Sequence, residues 1–247
     1  MCADQRPAVF ARPGIQRAIA RVRGSDDLPI WKRGIDLGCC LAALPLLAFA
    51  TVLMAGITSV FSPGPIFFQQ ERIGHRGSRF RLYKLRTMHV SSGTTCHETH
   101  FAQLVKSNGP MQKLDAGRDG RLIPGGWLLR ATGFDELPQV INILRGEMSV
   151  VGPRPCIPYE YGAYTASQRQ RFESLPGLTG LWQVSGKNRT SFEDMVRLDI
   201  EYARRRTVGL DVKIILLTIP ALCIQIVETG KARATHPPIT VKPATEG

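Results

Sequence analysis

The sequence predicts an α+β, mainly helical fold, arranged as a monotopic membrane protein with one re-entrant helix and a cytoplasmic domain that carries interfacial helices. Three observations predict it. An uncharged run from Leu37 to Phe61, about 25 residues, is long enough to reach across a hydrocarbon layer of ~30 Å. Cations flank both of its ends, Lys32 and Arg33 before and Arg72, Arg76, Arg79, Arg81, Lys84 and Arg86 after, so both flanks favour the cytoplasmic side. Pro45, inside the run, removes a helical hydrogen bond and offers a bend point at which the chain can turn back. Beyond the run, helical apolar periodicity dominates and alternation of period two is confined to short stretches.

The chain has 247 residues, enough for one domain with an appendage. Residues 1–30, with Arg6, Arg12, Arg17, Arg21 and Arg23 and with Pro7 and Pro13 interrupting helix, read as a flexible basic arm. Residues 31–61 form the re-entrant membrane helix, 62–228 the cytoplasmic domain and 229–247 a flexible tail. Ser62-Pro63-Gly64-Pro65 forces a turn, and Ile66-Phe67-Phe68 reads as a short strand. From Phe80 to Met88 basic and apolar residues alternate, which suits a strand with one face on the core and the other on head groups or phosphates. Residues 89–125 show no period; His97-Glu98-Thr99-His100 is one residue short of a zinc-protease motif and is assigned to a loop.

Leu137, Val140, Ile141 and Leu144 then recur on one helical face, with Pro138 at the start and Gly146 as the stop. Tyr159 to Leu175 has helical composition. The glycine-rich run Pro176 to Arg189 breaks it, and its Trp182 could wrap a ligand or plug a core, the plug being favoured. Thr190-Ser191-Phe192-Glu193 is a capping box that opens a helix with Met195, Leu198 and Tyr202 on one face. Val212 to Val227, interrupted by Lys213 and Pro220, reads as an interfacial or core helix.

Lys+Arg 32 against Asp+Glu 20 gives a net charge of +12, which points to anionic partners: nucleic acid, lipid head groups or phosphorylated substrates. Composition alone does not rank them. Cys2, Cys39, Cys40, Cys96, Cys156 and Cys223 form no C-x-x-C pair, which suggests neither a zinc site nor a disulfide framework and agrees with a reducing location.

The stretch with most chemistry runs from Arg130 through Asp135-Glu136-Leu137-Pro138 to Gly152-Pro153-Arg154-Pro155. Two adjacent carboxylates at or just before a helix N-terminus sit where the macrodipole favours anions. Taken alone they are a helix cap. With Arg130 upstream and Arg154 fixed between prolines, they also suit a site where a metal and a phosphate meet.

Several motifs in order carry a resemblance: Tyr83-Lys84-Leu85-Arg86-Thr87-Met88, Asp135-Glu136-Leu137-Pro138-Gln139, Leu144-Arg145-Gly146-Glu147-Met148-Ser149 with Val150-Val151-Gly152-Pro153-Arg154-Pro155, and Pro176-Gly177-Leu178-Thr179-Gly180-Leu181-Trp182-Gln183. From about Lys32 to Val227 the chain resembles the bacterial sugar transferases, the monotopic phosphoglycosyl transferases that begin exopolysaccharide and related glycan assembly. The resemblance implies a cytoplasmic catalytic domain on the bacterial inner (cytoplasmic) membrane. It implies transfer of a phospho-sugar from a UDP-sugar to a polyprenyl phosphate such as undecaprenyl phosphate, with release of UMP and a need for Mg²⁺, through a covalent aspartyl intermediate. Carried onto this chain, Asp135 is the nucleophile and Glu136 its catalytic partner. Arg130, Arg154, Lys84 and Arg86 bind substrate, and Asp135, Glu136 and Asp199 hold the metal. The partners implied are the UDP-sugar, the polyprenyl phosphate and the bilayer, with no nucleic acid and with a homodimer as one option. Gly133-Phe134 departs from the family's Ser-Leu.

Two other classes stay open at this point. A glycosyltransferase that moves the sugar without its phosphate would release UDP, but the chain has no Asp-x-Asp, no G-x-G-x-x-G and no Walker sequence. A non-catalytic, basic, membrane-anchored binding protein would explain the charge and the apolar run, though not the ordered motifs.

Overall fold

The computed structural model describes residues 28–89, 107–109, 118–186, 189–235 and 238–239. The expected basic arm lies outside the described residues except for its last three, as do the His97 to His100 loop and most of the expected tail.

The order of elements is α1 (Ile30–Phe61), β1 (Phe67–Ile73), β2 (Arg79–Leu85), β3 (Arg118–Asp119), α2 (Gly126–Thr132), α3 (Gln139–Leu144), β4 (Ser149–Val151), α4 (Pro158–Ala163), β5 (Gly177–Thr179), α5 (Leu181–Val184), α6 (Phe192–Arg205), α7 (Val208–Thr235) and β6 (Pro238–Ile239). Strands pair only in twos among the described residues: β1 with β2 antiparallel, β4 with β5 parallel and the two-residue β3 with β6 parallel. The fold is therefore α+β and mainly helical.

Helix α1 carries one buried stripe along its whole length. Lys32, Asp36, Cys40, Ala50, Met54 and Thr58 are buried, and Ala43 and Leu47 pack against the core between them. That spacing of three and four keeps one face on the domain. The other face, with Leu41, Phe49, Val52, Val60 and Phe61, is exposed and apolar. Pro45 sits within the helix without ending it. Pro45 stands on the exposed side, where the missing N–H costs one bond to the carbonyl four residues back while the buried face continues across it.

Both ends of α1 are fastened to the same body. At the start, Lys32 Nζ donates to Asp211 Oδ2 at 2.7 Å, to the Tyr202 hydroxyl at 2.9 Å and to the Val151 carbonyl at 2.9 Å. One turn on, Asp36 accepts from Ser149 Oγ and Val150 N at 2.8 Å each. At the far end, Arg86 donates to Ser62 Oγ at 2.9 Å, to the Ser62 carbonyl and to the Pro65 carbonyl at 2.7 Å. Arg86, expected at a phosphate, is thus 5 % exposed and spent on the end of α1.

The core has three parts. Cys40, Leu82, Val140, Ile143, Val151, Tyr202 and Ile214 join α1, β2, α3, β4, α6 and α7. Ile73, Cys156, Tyr164, Phe172, Trp182, Phe192 and Met195 form the second. Trp182 is 3 % exposed there, which makes it the plug favoured from its sequence. The third packs Ala50 and Met54 of α1 on Leu85, Ile123 and Leu129.

Three local expectations shift. In α3 the buried residues are Gln139, Val140, Asn142 and Ile143, whereas Leu144 is exposed. The helix is clasped from two sides, since Asn142 accepts from Tyr83 N and donates to the Arg81 carbonyl while α1 covers the opposite flank. The cap of α6 is Ser191, which accepts from Asp194 N, one residue later than the Thr190-to-Glu193 box implied. Helix α7 runs to Thr235, eight residues past Val227, so its last turns fall in the segment expected as tail.

The Lys32–Asp211 pair is 1 % exposed on both sides, so each charge depends on the other. Asp211→Ala is expected to cost about 3–5 kcal/mol, because it strands a buried ammonium, and the double variant Lys32→Met/Asp211→Leu to recover most of that. Thermal unfolding in detergent decides: a single variant that melts like the parent would show that the pair is not an anchor.

Candidate active site

The chain enters the site through α2. This helix ends at Gly133, whose φ of +76° is the left-handed conformation that closes helices and that glycine adopts without a Cβ clash. A 3-10 turn, Phe134–Glu136, follows at once, and α3 starts at Gln139 with Pro138 as its cap residue. Asp135 and Glu136 therefore stand on a tight turn between two helix ends. Asp135 is 6 % exposed. Glu136 accepts from Lys84 Nζ at 2.7 Å, an ion pair with both side chains about four-fifths covered.

Lys84 comes from β2. The register pairs Phe68 with Lys84, Gln70 with Leu82 and Arg72 with Phe80, and with side chains alternating across a strand these six share one face. Arg72 is thus delivered to the side of the hairpin that holds Lys84. It donates to Gln70 Oε1 at 2.6 Å and to the Pro155 carbonyl at 3.3 Å.

Arg154 arrives on the third piece, the loop after β4, and that loop is stapled on both sides. Gly152 N donates to the Thr179 carbonyl at 2.9 Å, Gly177 N to the Pro153 carbonyl at 2.8 Å and Ile73 N to the Cys156 carbonyl at 2.8 Å. The glycine-rich run has a plain geometric reason here. A Cβ on Gly177 would fall 2.0 Å from Gly152 N, and one on Gly152 would fall 2.2 Å from the Leu175 carbonyl. Two backbones meet where no side chain fits.

The loop rests on Arg171, which is completely buried. Arg171 donates to the Arg154 carbonyl at 3.1 Å, to Asp199 Oδ2 at 2.5 Å and to the Tyr164 hydroxyl. Burial lifts the Asp199 carboxyl to about 6 against the pull of Arg171. Asp199 was expected among the metal ligands. In the structure it is buried and accepts from Arg171, the side chain that holds the Arg154 carbonyl.

Arg72, Lys84, Glu136, Gln139, Arg154, Pro155, Leu178 and Gln183 line one cleft. Three cations face it against one lining carboxylate. Burial, and then the neighbouring Arg154, push the Arg72 guanidinium down to about 10. Cations crowded in this way accept an anion that relieves them, and guanidinium pairs suit phosphate oxygens. Of the expected site residues, neither Asp135, buried on the turn beside Glu136, nor Arg130 is among those that line the cleft; Arg130 stands on the last turn of α2 and its carbonyl accepts from Gln225 Nε2 at 3.1 Å. Arg72, Gln139 and Gln183 were not singled out from sequence, although the alternation of β1 and β2 was a signal for Arg72.

Asp135 and Glu136 offer hard carboxylate oxygens of the kind that hold Mg²⁺ through one or two carboxylates, its other positions being filled by water and substrate phosphates. Among the described residues no three His, Cys, Asp or Glu side chains converge.

Residues 28–225 match the family model described as bacterial sugar transferase. The galactosyl transferase CpsE of Streptococcus agalactiae serotype III is 39% identical over 188 residues, which span 72% of this chain and 40% of that protein. The exopolysaccharide production protein ExoY of Sinorhizobium fredii is 36% identical over 195 residues, covering 79% of this chain and 86% of its own length. A UDP-glucose:undecaprenyl-phosphate glucose-1-phosphate transferase of Caulobacter vibrioides is 37% identical over 199 residues, 77% and 69% of the two chains.

If the three cations form a diphosphate cradle, Arg72→Leu and Arg154→Leu should each weaken binding of inorganic pyrophosphate by about ten- to a hundredfold, the worth of a lost charge-assisted hydrogen bond. Calorimetric titration reads this directly, and unchanged affinity in both variants would remove the cradle.

Proposed function

Because the chain belongs to the bacterial sugar transferase family, we propose that it transfers a sugar phosphate from a UDP-sugar to undecaprenyl phosphate, releasing UMP, as the initiating step of exopolysaccharide assembly. The observation that carries this reading is the cleft in which Arg72, Lys84 and Arg154 gather beside the Asp135-Glu136 turn. An anionic nucleophile can approach a diphosphate only where cations screen the repulsion.

The chemistry divides in two. An Asp135 carboxylate oxygen attacks the β-phosphorus of the nucleotide sugar. The new O–P bond forms as the bond from that phosphorus to the bridging oxygen breaks, and UMP leaves with the electron pair. The phosphate oxygen of the polyprenyl carrier then attacks the same phosphorus. That step frees the Asp135 carboxylate and yields the polyprenyl diphospho-sugar. Splitting one displacement into two lowers each barrier. Arg72 and Arg154 hold the diphosphate oxygens, Lys84 fixes Glu136, and the stapled loop after β4 keeps Arg154 from drifting. Mg²⁺, held by Asp135 and Glu136, would neutralise charge on the diphosphate.

The same reading places the domain on the cytoplasmic face of the bacterial inner membrane. Helices α1 and α7 are long and apolar enough to cross a membrane by length and composition. A straight α1 of about 48 Å, at ~1.5 Å per residue, would carry its two ends to opposite sides. Instead both ends of α1, which is unbroken across Pro45, bind one domain, through Lys32 and through Arg86, which supports a helix whose two ends stay on one side of the bilayer rather than a span. On this reading the charge of +12 serves head groups and phosphates rather than nucleic acid.

With undecaprenyl phosphate and a panel of UDP-sugars, the protein in lipid nanodiscs is expected to release UMP; release of UDP would sink phosphosugar transfer. Asp135→Asn should lower turnover by about a thousandfold or more, and radiolabelled sugar phosphate should remain on denatured wild type but not on this variant. For topology, cysteines placed at Ile30 and Arg76 should both react with an impermeant thiol reagent from the cytoplasmic side, whereas labelling from opposite sides would refute re-entry.

A further inference from the structure

Helix α7 presents an apolar face to the outside, with Val212, Leu216, Ile219, Ile224 and Val227 exposed. Its opposite face holds a polar stripe at a spacing of seven: Asp211, Thr218 and Gln225. Seven residues are close to two helical turns, so the three side chains stand nearly in line. Each is spent on a different part of the domain. Asp211 takes Lys32 and Tyr202. Thr218 accepts from Thr179 Oγ1 at 2.8 Å while donating to its own helix at the Ile214 carbonyl. Gln225 Nε2 donates to the Arg130 and Ala131 carbonyls at 3.1 Å each.

The last two contacts end on segments that lead into the Asp135-Glu136 turn and the Arg154 loop. The Arg130 and Ala131 carbonyls belong to the final turn of α2, where helical carbonyls lack partners of their own. Two residues later Gly133 turns the chain into the Asp135-Glu136 turn, and a Cβ built on Gly133 would meet Leu222 of α7 at 3.5 Å. Thr179 is the residue whose carbonyl receives Gly152 N, the bond that opens the Arg154 loop.

We propose that Gln225 and Thr218 are positioning residues for the transfer reaction: through them α7, a helix with an apolar outer face, sets the nucleophile turn and the phosphate-binding loop. Gln225 acts on the turn that carries Asp135, Thr218 on the loop that carries Arg154. This rests on the reading of Asp135 as nucleophile and of Arg154 as phosphate ligand. The two residues therefore separate in kinetics. Loss of the Gln225 contact leaves diphosphate binding intact and misplaces the attacking oxygen, whereas loss of the Thr218 contact loosens binding first.

The test uses full-length protein in nanodiscs and needs three substitutions at Gln225. Gln225→Leu removes the donor, Gln225→Glu replaces it by an acceptor that faces carbonyls, and Gln225→Lys restores a donor suited to a helix C-terminus. Hydrogen exchange at the amides of residues 134–137 is expected to rise about tenfold in the Leu and Glu variants, the scale of a lost capping bond, and to return to the parent level in Gln225→Lys. Turnover with UDP-sugar and undecaprenyl phosphate should fall about tenfold in the first two with KM within about twofold, and Thr218→Val should raise KM with kcat little changed. Exchange in Gln225→Leu equal to the parent, or a Gln225→Lys variant as impaired as Gln225→Leu, would overturn the proposal. Should the parent itself transfer no sugar phosphate, the functional reading fails while the exchange data still decide the coupling.

Discussion

The buried ammonium of Lys32 is the constraint on which the rest of this structure depends. An amine taken out of water must find acceptors on every side, and here they come from three other elements: the Val151 carbonyl of β4, the Tyr202 hydroxyl of α6 and the Asp211 carboxylate of α7. One contact so brings the starts of both apolar helices against the strand that leads into the Arg154 loop. Burial and Asp211 push the Tyr202 phenol far above its ordinary range, so it remains a donor in the network. A hydrophobic contact at this point would hold the elements together, but it would not fix their register.

From that anchor the site is built by close approach rather than by side-chain bulk. The Gly152 and Gly177 backbones touch, and the bonds between β4 and β5 then define where Arg154 begins. Arg171 finishes the loop from behind, holding the Arg154 carbonyl while Asp199 holds Arg171. Arg154 is therefore presented by its main chain, which leaves the guanidinium for an anion. The opposite wall is the β1–β2 hairpin, where alternation delivers Arg72 and Lys84 to one face. The cleft has cations on two rigid supports and Glu136 on a tight turn beside them. Fixed charges arranged in advance of the reaction are what phosphoryl chemistry demands of a protein.

The apolar helices tie this chemistry to a surface. Helix α1 lies along the domain with one stripe buried and the rest open, and α7 does the same from the other flank. Both apolar helices pack on the elements that carry Arg154 and lead to Asp135, so their exposed apolar faces are joined to the cleft with few intermediaries. The polar stripe of α7 is the most direct of these links, since Thr218 bonds Thr179 beside the Arg154 loop and Gln225 bonds the end of the helix that leads into the Asp135-Glu136 turn.

By itself the sequence determined the class of fold, the apolar run and its cationic flanks, the Asp135-Glu136 turn ahead of a helix, and Trp182 as a core plug. These are legible because helix periodicity, caps, prolines and charge runs act within a few residues of one another. What only the tertiary structure decided is which of those charges face the cleft. Lys84 meets Glu136 there and Arg72 joins Arg154, while Arg86 closes the end of α1 and Asp199 serves Arg171. Partners 52, 24 and 28 residues apart in sequence are chosen by where packing puts them. A buried cation looks the same in a sequence as one that awaits a phosphate, because the difference lies in which neighbours have already satisfied it.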